Sequence, residues 1–66
     1  MKERAYRVFV DIWRISYRRQ FRKMTDAEWE EFIRQGEKGL GRHKGTPVEH
    51  LYRELFMAVQ AFYKKL

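Results

Sequence analysis

Five arginines carry the most suggestive chemistry in this chain. Arg4, Arg7, Arg14, Arg18 and Arg22 recur at helical spacings and fall on one side of an N-terminal helix. A guanidinium group makes planar, two-pronged contacts with phosphate or carboxylate. The row is therefore a candidate contact for an anionic partner, nucleic acid included. It suits a plain solvated face as well. Asp11 interrupts it and is expected to pair with Arg7 and Arg14 as helical neighbours. The run from Tyr17 to Lys23 interleaves aromatics with cations, as single-strand binders do. No groove-reading motif accompanies it.

The other chemical candidates are weaker. The stretch from Gly36 to Thr46, GEKGLGRHKGT, invites a phosphate-loop reading. It fails the pattern, because Arg42 stands where the lysine belongs and no strand precedes it. His43 and His50 lack a metal-ligand spacing, so two exposed histidines and no metal site are expected. Ser16 lies on an apolar face, while Thr25 and Thr46 serve as helix caps. No carboxylate pair sits among apolar residues as a general acid and base would. Neither enzymatic activity nor a cofactor is expected.

Three helices must position these groups, and the last organises the rest. Thr46, Pro47 and Glu49 read as a capping box with proline at the first helical position. Val48, Tyr52, Leu55, Val59, Phe62 and Leu66 then follow the helical period. Leu51 joins that face, with Phe56, Tyr63 and Ala58 widening it. Met57 projects the other way. On the first helix, Ala5, Tyr6, Phe9, Ile12, Trp13, Ser16 and Tyr17 form one face, flanked by Val8, Ile15, Val10 and Phe21. That arc is wide enough to touch more than one neighbour. Thr25 and Glu28 open the second helix with another capping box, and Trp29, Phe32 and Ile33 give its apolar side. Its acidic start is expected to meet the basic end of the first helix, Glu30 or Glu31 against Arg19 or Lys23. The register continues through Gly36 and Leu40, so this helix is expected to run on, frayed by its glycines, with a loop from Gly41 to Gly45.

Length and charge set the limits. Sixty-six residues make one domain with a small core. There is no cysteine to staple it, which fits a cytoplasmic setting. No apolar run approaches the roughly 20 residues needed to span a membrane, and MKERAYRVFVDIW does not read as a secretory signal. Residues 1–24 hold eight Lys or Arg against Glu3 and Asp11, while residues 25–66 hold seven of each sign. The whole net charge of +6 thus belongs to the first segment.

Ile12-Trp13 and Tyr17, then Thr25-Asp26-Ala27-Glu28-Trp29, then Leu55-Phe56-Met57-Ala58-Val59 carry a resemblance over residues 10–63. In these residues the chain resembles a loose group of short helical proteins from bacterial prophages and conjugative elements. The resemblance implies three helices and carries over no activity. The chain departs from the group in its glycine-rich 36–45 segment and its stronger arginine row.

The expected fold is all-α: one domain of three helices at about 2–23, 26–41 and 47–65, the third lying between or across the other two. Trp13, Trp29, Phe9, Leu55, Val59 and Phe62 are expected at the centre of the core. A helix-turn-helix reader would use the third helix, whose near-neutral face argues against it. The expected function is a non-enzymatic module that binds a protein partner or itself, with Val10, Phe21 and Met57 as candidate contacts. The alternative is a nucleic-acid-binding accessory protein using the arginine row. Binding to a membrane surface ranks below both, because the apolar face is needed to build a core.

Overall fold

A computed structural model describes residues 1–66, and the chain is all-α. Helix α1 spans Lys2–Tyr17, α2 spans Asp26–His43 and α3 spans Glu49–Lys64. Each helix packs on both others. The Tyr63 hydroxyl reaches the carbonyl of Ser16, which brings the last turns of α1 and α3 together and makes these two helices parallel. His43 meets Asp11, and Lys64 lies over the Trp29 ring, so α2 runs antiparallel to both. The bundle measures 35 × 16 × 16 Å.

The helix limits differ from expectation at three places. Helix α1 stops at Tyr17 instead of continuing to residue 23, because Gln20 and Phe21 adopt the left-handed conformation (φ 56° and 53°). The Tyr63 hydroxyl holds that break: it donates to Ser16 O (2.7 Å) and accepts from the Phe21 N–H (3.1 Å). Helix α2 begins as expected, with both hydrogen bonds of the Thr25–Glu28 capping box in place. It runs to His43, past the expected end at residue 41, and the connection is 44–48 instead of 41–45. Helix α3 starts two residues late. Thr46 caps nothing there: its hydroxyl donates to His43 O (2.6 Å) and accepts from the Val48 N–H (3.3 Å). Glu49 accepts from the Gly45 N–H (2.8 Å) instead of closing a box with Thr46. Gly45 sits at φ 78°, a conformation that favours glycine, and this turn makes the reversal into α3.

Two glycines within α2 are packing positions. A methyl group at Gly36 would overlap the Phe56 ring, and one at Gly39 would overlap the Tyr52 phenol. Both rings lie flush on the α2 backbone, and the Tyr52 hydroxyl donates to Gly36 O (2.8 Å). The helix is thereby sealed where fraying was expected.

The core consists of Val8, Ile12, Phe32, Val48, Tyr52, Phe56 and Tyr63. Trp29, Leu55 and Val59 pack at its edge. Phe9, Trp13 and Phe62, expected at its centre, are about half exposed. Both α1 and α3 are rotated from the expected orientation. On α1 the inward face is Ala5, Val8, Ile12, Ile15 and Ser16. On α3 the centre shifts from Leu55 and Phe62 toward Phe56 and Tyr63. The cause is volume. Four rings, Phe32, Tyr52, Phe56 and Tyr63, already fill a bundle 16 Å across. Small and β-branched residues of α1 fit against them, and an indole does not. Ser16 is tolerated inside because its hydroxyl donates to Ile12 O of its own helix (2.7 Å).

Candidate interaction surfaces

Helix α1 divides into three faces. At about 100° per residue, Ile15 through Val10 span an apolar arc of about 220°, twice what a surface helix commonly buries. The bundle covers the Val8–Ile12–Ser16 side only. The other side, Tyr6, Phe9, Trp13 and Tyr17, is 70, 54, 57 and 62 % exposed. Trp13 leans on Tyr17 (centroids 5.6 Å apart) and on Phe21 (5.8 Å). Phe21 stacks on Tyr63 (6.0 Å) and meets the edge of Phe62 (6.3 Å). The left-handed turn at Gln20 and Phe21 thus carries the aromatic strip from α1 across to α3. Nine large apolar side chains stand exposed, an unusual surplus of open apolar surface for so short a chain.

Val10, Phe21 and Met57 do not form one patch. Phe21 belongs to the aromatic strip. Val10 lines a groove with Arg7 and Arg14. Met57 lies in a separate shallow groove between α2 and α3, with Ile33, Leu40 and Phe56.

The third face of α1 borders α2 and is cationic. Arg4, Arg7 and Arg14 line one open hollow against α2, and Arg14 and Arg18 line a second beside it; Arg42 borders both, and Lys38 borders the second. None of Arg4, Arg7, Arg14 and Arg18 makes an ion pair. Arg22 leaves the row because α1 ends before it, and it turns to Glu28 (3.7 Å). The expected contacts of Glu30 or Glu31 with Arg19 or Lys23 do not form; Glu31 pairs with Arg34 within α2 (2.8 Å).

Asp11 does not pair with Arg7 or Arg14. It turns to α2, where its carboxylate accepts from His43 Nε2 (2.8 Å) and lies 3.6 Å from the Arg42 guanidinium. His43, expected to be exposed, is buried and stacks on the Tyr52 ring (5.4 Å). Burial, reinforced by the charge of Asp11, pushes the Tyr52 phenol up to about 12. This Asp11–His43–Tyr52 chain ties α1, α2 and α3 together at the groove floor. Sequence spacing gave no sign of it, since its members lie on three separate helices. His50 stays exposed beside Glu54 (3.4 Å) on α3, away from His43's partners.

No helix is long and apolar enough to cross a membrane. Comparison with protein-family models, curated proteins and solved structures finds no match.

Proposed function

We propose that this chain is a non-enzymatic interaction module that associates with a second copy of itself through the aromatic face of α1. The observation that carries this is the exposed strip of Tyr6, Phe9, Trp13 and Tyr17, continued by Phe21 and Phe62. Roughly 100 Å² of each of these six rings stays open, taking half of a typical aromatic area. The sum, about 600 Å², approaches the roughly 800 Å² per partner of a standard interface.

A second copy fits this strip for a reason of spacing. Tyr6, Val10, Trp13 and Tyr17 lie four, three and four residues apart, with tyrosine at both ends. That spacing reads the same in either direction. Two copies of α1 laid antiparallel about a two-fold axis bring Tyr6 against Tyr17 and Val10 against Trp13, twice over. The same pairing sets Glu3 near the basic turn at Arg18 and Arg19, which adds charge complementarity.

Sedimentation velocity over a concentration series tests the proposal. The expected species has twice the 8.2 kDa chain mass. Trp13→Glu is expected to return it to the monomer with its helical content intact, because Trp13 supports no core. A wild-type chain that stays monomeric at every concentration would overturn the proposal.

A further inference from the structure

We propose that the groove between α1 and α2 holds the phosphate backbone of a nucleic-acid strand, with Arg4, Arg7, Arg14, Arg18, Lys38 and Arg42 as its cationic walls. This site adjoins the aromatic face, with Tyr6 and Val10 at the shared edge, but its cations do not depend on self-association.

Three observations carry the site. First, cations come to the groove from two sides: Arg4, Arg7 and Arg14 on α1 with Arg18 just past its end, and Lys38 and Arg42 on α2. Lys38 and Arg42 lie in a segment whose overall charge is zero, yet both face the arginine row. Second, the groove's carboxylates offset it only in part. Six cations face two carboxylates: Glu3 stands at one end, and Asp11 on the floor pairs with Arg42 and His43, which leaves Arg4, Arg7, Arg14, Arg18 and Lys38 without an ion-pair partner. Gathering like charges this way opposes folding through mutual repulsion, and a bound polyanion removes that cost. Third, the length fits. Arg4 to Arg18 covers about 21 Å at 1.5 Å per residue, the axial rise of about six nucleotides of a duplex at 3.4 Å each; a single strand, whose phosphates lie farther apart, places fewer there.

The shape selects among anionic partners. The cations line two adjoining hollows, so a flat lipid surface touches only their rims, whereas a strand can follow both. Five of the six are arginines, whose fork matches the oxygens of a phosphate. Single strands and duplexes present the same backbone chemistry, and salt dependence separates them.

The test is fluorescence anisotropy with a labelled mixed-sequence oligonucleotide, single-stranded and as a duplex, over a salt series. Log affinity is expected to fall linearly with log salt. The double variant Arg14→Gln, Lys38→Gln is expected to flatten the slope by about 1.4 for a single strand or about 1.8 for a duplex. The control pair Lys44→Gln, Lys65→Gln removes the same charge outside the groove and is expected to leave the slope unchanged. All four side chains are exposed, so both variants keep the fold. A second groove pair, Arg7→Gln with Arg18→Gln, is expected to repeat the first result. Equal losses in groove and control pairs would overturn the site. So would absence of binding to either oligonucleotide at low salt, or binding confined to phosphatidylserine vesicles.

Discussion

The Tyr52 hydroxyl donates to the backbone carbonyl of Gly36 from the neighbouring helix, at 2.8 Å. Such an approach needs α2 to present bare backbone. Gly36 and Gly39 supply it, one beneath Phe56 and the other beneath Tyr52. The glycine-rich segment that invites a nucleotide-loop reading is thus a docking strip for two rings of α3.

The glycines of α2 should therefore respond in opposite directions. Gly36→Ala is expected to destabilise by about 1–3 kcal/mol, since overpacking outweighs the gain in helix propensity. Gly41→Ala meets nothing within 4 Å and is expected to stabilise by about 0.5–1 kcal/mol. Urea unfolding of both variants checks the contrast.

Tyr52 contributes to the loss of stability at alkaline pH. Its phenol is raised to about 12 in the folded chain, against about 10 for a free tyrosine. The folded state therefore holds the proton more tightly than the unfolded state. The resulting stability is complete below pH about 10 and drains away as pH rises toward about 12. Ultraviolet titration should show Tyr52 ionising together with loss of helix. Tyr52→Phe is expected to remove that step.

On the acid side the two helix starts respond. The Thr25 N–H, aided by Arg22, holds the Glu28 carboxyl below its usual range. The Gly45 N–H, aided by Arg53, does the same for Glu49. A lowered folded pKa means stability that is present above the ordinary carboxylate range and lost as pH falls through the lowered values. Glu28→Gln is expected to flatten the acid limb of a thermal-midpoint versus pH curve. An unchanged limb would remove Glu28 from the account.

Asp11 is a tether between α1 and α2. Asp11→Ala leaves buried His43 without its partner and is expected to cost about 1–3 kcal/mol. Arg7→Ala, on an unpaired neighbour, is expected to stay within about 0.5 kcal/mol. Thermal unfolding of the two variants, compared at one pH, separates them.

What the sequence reveals and conceals follows from where each cause lies. The start of α2 is legible because Thr25 and Glu28 are three residues apart and satisfy each other locally. The end of α1 is not: Arg18 to Lys23 is rich in good helix formers, and the break is held by Tyr63, 42 residues from Phe21. His43 is equally opaque, since Asp11 lies 32 positions away. The width of the α1 arc was visible, and with it the surplus of apolar surface. Its orientation was not, because periodicity ranks Trp13 and Phe9 above Val8, whereas the space left by the rings of α2 and α3 admits only the slimmer side. The arginine row was legible from α1 alone; its second wall, Lys38 and Arg42, needed the packing of α2.

Helix α1 has no idle side. Its sixteen positions sort into an inward valine–isoleucine third, an aromatic third and a cationic third, each following the same 3.6-residue rhythm a third of a turn out of phase. A saturation scan along it should yield three interleaved waves, in thermal midpoint, in assembly state and in salt sensitivity. Almost no position should be silent in all three.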